Sequence, residues 1–152
     1  MCTSFLGEVL TATHNFGTAP VRATGAADTF KAALFLSSAT INAATTAYTT
    51  SGEVTGTGYT AGGVAVTNAT APLASNSSAT AGVGYWTPSA SITYTTVTLT
   101  TAFDCVLIYN STQSDKAVSV HTFGSQTITA GTFTLTMPAN TTSTALLRLA
   151  TT

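Results

Sequence analysis

Thr132-Phe133-Thr134-Leu135-Thr136-Met137 puts Phe, Leu and Met on one side of an extended chain and three Thr on the other. Alternation with a period of two is the signature of a strand with one face on a core and one in water. Working outward, Lys116-Ala117-Val118-Ser119-Val120 and Ala145-Leu146-Leu147-Arg148-Leu149 alternate in the same way. Asn110-Ser111-Thr112-Gln113-Ser114-Asp115 and Gly124-Ser125 carry turn chemistry. Ser91-Ile92-Thr93-Tyr94-Thr95-Thr96-Val97-Thr98-Leu99 changes phase between Tyr94 and Val97, which predicts a β-bulge or a strand buried on both sides. Lys31-Ala32-Ala33-Leu34-Phe35-Leu36 is an apolar run of the kind buried on both faces, and Gly63-Val64-Ala65-Val66 resumes a strand after a Gly-punctuated loop. Residues 68–80, with Pro72 and a run of Asn and Ser, read as loop. Strands of about six residues at roughly 10–12-residue spacing predict an all-β fold, a sandwich or barrel of about eight antiparallel strands. No helical period long enough for a βαβ unit is present.

The first 28 residues differ from the rest. Phe5/Leu6 and Val9/Leu10 recur four apart, which predicts a short N-terminal helix capped by Thr3 or Ser4 and ending near Asn15 or Gly17. Residues 17–28, with Pro20 and Gly25, read as an extended connector. The expected organisation is a helix and arm over residues 1–28 and a β domain over residues 29–152.

Only 4 Lys+Arg and 5 Asp+Glu occur in 152 residues, 6% of the chain, against roughly 25% in an ordinary soluble domain. Thr (36) and Ala (25) dominate instead. A net charge of −1 with four scattered cations cannot neutralise a run of phosphates, so no nucleic-acid partner is expected. With 44% hydrophobic residues, charge-driven disorder is excluded as well. Met1-Cys2-Thr3-Ser4-Phe5-Leu6-Gly7-Glu8 lacks the basic start of a secretory signal, and no stretch approaches the roughly 18 apolar residues of a membrane-spanning helix. A chain made in the cytoplasm, with no membrane partner, is the expectation. Cys2 and Cys105 are no disulfide framework, and Cys105 inside Phe103-Asp104-Cys105-Val106-Leu107 reads as a small buried thiol.

Catalytic chemistry is thinly supplied, and no catalytic residue, cofactor or metal is assigned. Gly56-Thr57-Gly58-Tyr59-Thr60-Ala61-Gly62 lacks the third glycine of a dinucleotide fingerprint, the Lys-Ser/Thr of a phosphate loop and a following helix, so turns needing positive φ explain it better. His14 and His121 are the possible bases. His121 falls in phase with Ala117, Ser119 and Phe123, opposite Val118 and Val120, and is expected to face outward or into an interface. No Gly-x-Ser-x-Gly elbow exists, and Asp104, Asp115 and Glu53 lie in unlike surroundings, so no carboxylate pair is proposed. Asn68, Asn76, Asn110 and Asn140 match the glycosylation triplet by virtue of abundant Ser and Thr. Gly84-Tyr85-Trp86-Thr87-Pro88 is the one dense aromatic spot, with Trp86 expected in the core first and as an interface anchor second.

A near-uncharged surface with Thr-lined strands suits a subunit that works against other copies or another protein, because a Thr face is equally at ease wet or packed. Resemblance points the same way. Asp28-Thr29-Phe30-Lys31-Ala32-Ala33-Leu34-Phe35, then Glu53-Val54-Thr55-Gly56-Thr57-Gly58-Tyr59-Thr60-Ala61-Gly62-Gly63, then Leu107-Ile108-Tyr109-Asn110-Ser111-Thr112 and Thr122-Phe123-Gly124-Ser125, resemble small structural proteins of tailed bacteriophages and prophages. The likeness runs over about residues 4–150. It departs at residues 76–91, Ser/Ala/Gly-rich here where relatives carry an Asp-containing segment before the Trp strand. The resemblance implies a virion component without catalytic residues. Its leading form is a capsid decoration (cement) protein on the outer shell, often trimeric, whose partners are the major capsid protein and itself. The alternative is a tail, neck or head-fibre component, including host-receptor binding with Tyr85 and Trp86 stacked on a sugar. The interface is expected at Phe5, Leu6, Val9, Leu10, Phe16, Tyr85 and Trp86, with the N-terminal segment reaching a neighbour.

Overall fold

The 132–137 alternation closes a hairpin far longer than six-residue strands allow. The computed structural model describes residues 1–17, 27–75 and 82–150. They form one helix, α1 (Thr3–Leu10), and seven strands: β1 (Phe30–Leu36), β2 (Val64–Ala65), β3 (Leu73–Ala74), β4 (Val83–Trp86), β5 (Ile92–Asn110), β6 (Lys116–Leu135) and β7 (Leu147–Ala150). The fold is all-β. Two antiparallel sheets, ordered β2-β1-β5-β6 and β3-β4-β7, keep open edges, so the architecture is a sandwich and not a closed barrel. Residues 76–81, including Asn76, and residues 18–26, including Pro20 and Gly25 of the expected connector, lie outside the described residues.

β5 spans 19 residues and β6 spans 20, which corrects the expected strand length. The expected turn at Asn110–Asp115 is present, with Ser114 and Asp115 at φ 55° and 56°. The expected turn at Gly124-Ser125 is not; those residues lie inside β6. They mark a bend. Register shifts fall between Leu99 and Phe103 and between Phe103 and Cys105, so the hairpin creases there and folds back on itself. Phe103 pairs with Gln126 and Phe133 pairs with Tyr94, yet the Phe103 and Phe133 rings meet edge to face at 5.2 Å. The Tyr94 hydroxyl accordingly reaches back to donate to the Ala32 carbonyl on β1 (2.8 Å). The phase change at Tyr94–Val97 is a bulge, with Thr96 at φ 53°.

β1 is buried on both faces as its apolar run predicts, from Phe30 through Phe35 with only Lys31 partly exposed. The Gly-rich loop lies against β1 and β5. A Cβ on Gly63 (φ 73°) would sit 1.7 Å from the Ala32 carbonyl oxygen, and one on Gly56 would sit 2.1 Å from that of Thr98. Backbone contact at those two points requires glycine.

α1 starts one residue earlier than expected. Cys2 flanks it in an extended conformation without a side-chain cap, and its first amides are held by tertiary bonds instead, Cys2 N–H to the Val118 carbonyl and Thr3 N–H to that of Ala43 (both 2.9 Å). The helix stops at Leu10, short of Asn15. Thr11 Oγ1 donates to the Glu8 carbonyl and Ala12 turns to φ 53°, so β-branched residues with competing hydroxyls end it. Cys2 and Phe5 are buried in the same core as β1 and β5, and Phe16 packs against that core.

Candidate functional site

α1 and the chain after it pack beside the second sheet and leave an apolar cleft of about 190 Å³ between them. Phe5 and Val9 come from α1, Phe16 from the chain that follows, Pro72 from the approach to β3, and Tyr85, Trp86, Leu147 and Leu149 from β4 and β7. The wall is built from stacked rings. Phe16 lies flat on Phe30 with centroids 4.5 Å apart and tilts against Trp86 at 4.7 Å. Trp86 is 2% exposed and donates its indole N–H to the Thr70 carbonyl (2.8 Å), so it is a fixed wall with its polar edge satisfied. Tyr85 is half-buried. Leu149 on the wall, Leu73 beside Pro72, and Leu6 and Leu10 on α1 are all exposed, Leu10 at 88%.

A polar network closes the end of the cleft at His14. Asn110 Oδ1 accepts from the Thr112 and Gln113 amides, which fixes its amide so that Nδ2 donates to Asp28 Oδ2 (2.7 Å) and to His14 Nδ1 (3.0 Å). A ring nitrogen that accepts has its lone pair free, so His14 is neutral and donates from Nε2 to Glu8 Oε2 (2.8 Å). The contact is a hydrogen bond and not an ion pair. Burial holds the His14 pKa below its ordinary value, against the opposing pull of Glu8. Glu8 Oε1 accepts from Lys116 Nζ (2.9 Å). Burial pushes the Glu8 carboxyl up, but the bonds from Lys116 and His14 outweigh it and the pKa falls. The network ties α1 to β5 and β6.

Two other polar groupings have the residue types of chemistry. Glu53 is buried and accepts from the Tyr48 hydroxyl (2.6 Å), the Tyr59 hydroxyl (2.8 Å) and the Gly62 amide (2.7 Å). Tyr59 in turn accepts from the Leu34 amide (3.0 Å). Burial, then Glu53, pushes both tyrosines well above the ordinary phenol range, so these hydroxyls stay protonated as donors. Ser119 and His121 are in contact, Oγ to Nε2 at 2.9 Å. Ser119 is fully buried, so its oxygen cannot be approached by a substrate. His121, expected to face outward or into an interface, is half-buried and lines a second cavity of about 150 Å³ with Ile92, Val106, Phe123 and Leu146. Burial lowers its pKa to about 4. Cys105 is buried, with its pKa raised to about 11 by burial and by Asp104, an unreactive thiol. Among the described residues no group of three or more His, Cys, Asp or Glu could hold a metal ion, and no helix is long and apolar enough to cross a membrane.

Of the seven interface residues expected from sequence, Phe5, Val9, Phe16, Tyr85 and Trp86 line one cleft, while Leu6 and Leu10 stand exposed on α1. Pro72, Leu147 and Leu149 were not anticipated. The Ala145–Leu149 alternation was the available signal, but nothing in it says that β7 pairs with β4 and brings Leu147 opposite Trp86. Compared with family models, with curated proteins and with solved structures, the chain finds no match.

Proposed function

We propose that the chain is a structural component of a bacteriophage virion, a capsid decoration protein that docks on major capsid subunits at the outer shell after synthesis in the bacterial cytoplasm. The observation that carries the reading is the aromatic-walled cleft between α1 and the second sheet, flanked by exposed leucines on a chain with 6% charged residues. A concave apolar site with a preformed wall is suited to an apolar segment of a partner, and exposed apolar side chains in such a place mark interaction surfaces. Docking makes and breaks no covalent bond. Each copy contributes a modest contact, and self-association multiplies these into avidity across the shell.

The tail, neck or fibre alternative with sugar stacking is favoured by less. Trp86 is buried with its N–H occupied, which leaves Tyr85 as the one cleft aromatic of that pair with an accessible face. The test is rebinding of purified protein to capsids lacking it. Leu10→Glu and Leu149→Glu, both on exposed positions, are expected to leave the fold intact and to lower capsid occupancy at least tenfold. Unchanged occupancy with both substitutions in place would remove the cleft from the account.

A further inference from the structure

Among the described residues the first sheet ends on β6, and that edge is unguarded beyond its start. Its start is covered: Ala47 bridges to Lys116, Ala117 N–H donates to the Thr46 carbonyl, and the Val118 carbonyl accepts from Cys2. From Ser119 to Leu135 the only backbone partner among the described residues is β5. Natural edges of this length carry lysines, prolines or a covering element. Here no Asp, Glu, Lys or Arg occurs from Ala117 through Leu147, and no Pro before Pro138. The bend at Gly124–Gln126 and the left-handed Ala130 (φ 47°) break the edge, leaving Gly131–Leu135 as a regular run at its far end.

We infer that the 131–135 run of β6 pairs antiparallel with the same run of a second copy of this chain, joining two first sheets into one. Length and charge select that occupant. The other free edges among the described residues, on β2, β3 and β7, are two to four residues long, so none of them matches the whole 131–135 run. A two-fold joint matches the edge with itself, and an uncharged strand meets its own copy without like-charge repulsion. The exposed Thr132 and Thr134 then face each other across the seam, repeating the Thr93–Thr134 hydroxyl contact (3.4 Å) already made inside the hairpin. A five-residue seam buries little, so the dimer is weak, and multivalent placement on a particle strengthens it. Two-fold closure gives dimers, in place of the trimer implied by the resemblance. The inference gives the self-association of the proposed function a specific edge, but it stands on topology and is tested without virions.

The test combines mass and hydrogen exchange on the full chain over a concentration series. The expected result is a mass rising toward twice that of the 15.3 kDa chain, with the edge-facing amides of 131–135, every second one, exchanging at least tenfold more slowly in the dimer. Thr132→Lys/Thr134→Lys is expected to weaken dimerisation at least tenfold with unchanged secondary structure. Should that variant fail to fold, exchange in the natural protein decides alone. A monomer at all concentrations, a trimer, or a dimer whose 131–135 amides exchange as in the monomer would overturn the inference.

Discussion

Glu53 holds three donors with two carboxylate oxygens inside the protein, and every one of those donors lies on or beside the Gly-rich loop. Replacing it by Ala strands two tyrosine hydroxyls and an amide without an acceptor, at a cost of about 3 kcal/mol or more. Urea unfolding of Glu53→Ala against the natural chain measures this; a loss below about 1 kcal/mol would mean that water replaces the carboxylate freely. His121 gives the molecule an acid sensitivity. Its native pKa of about 4 lies below the ordinary 6.5, so as pH falls below 6.5 the unfolded chain takes up the proton first. The stability it contributes is full above pH 6.5 and is lost down to pH 4, by about 3 kcal/mol. Neutral, buried His14 adds to the loss in the same direction. The slope of stability between pH 7.5 and 4.5 is expected to fall in His121→Gln, and an identical slope in both proteins would contradict the assignment. Burial of Cys105 and Trp86 was legible from their apolar neighbours. The role of Glu53 was not, because its partners Tyr48, Tyr59 and Gly62 are only gathered by the loop's path. Glu53, Val54, Gly56, Gly58, Tyr59, Gly62 and Gly63, the string that carries the phage resemblance, turn out to be a packing device: acceptor, core residue, close approaches, donors and turns. It marks a fold and assigns no chemistry.

At the scale of elements, the N-terminal helix was legible from its four-residue spacing, but its attachment was not. Phe5 is 2% exposed and Cys2 is fully buried, so the described part of the expected arm is a wall of the domain's own core. Phe5→Ala is expected to cost about 3–4 kcal/mol, read as a drop in thermal midpoint, since truncating a buried ring leaves a cavity. A near-zero cost would fit a helix that leaves the domain in solution. The long hairpin was misread for a physical reason. Bulges shift the inward face by one residue, so alternation resets at Thr95-Thr96 and near Gly124, and each reset imitates the end of a strand. Once β5 and β6 are recognised as creased strands, the segments at 116–120 and 132–135 merge into one and the segment at 91–99 becomes the first half of the other.

For the molecule as a whole, composition was the most informative reading: few charges, many threonines, and apolar residues sufficient for one core with some left on the surface. What composition could not reveal is where the leftover lies. The chain places it around a cleft built from both ends of the sequence, α1 and β7, and among the described residues most of the β6 edge has no partner. Both features suit the proposed association, while the polar groupings described above tie elements of the fold together. The central claim, that this protein works as a virion building block, is tested most directly by counting its copies in purified particles of the phage whose genome encodes it. Hundreds of copies per particle, located on the outer shell, are the expected result; particles that contain none of it would contradict the account.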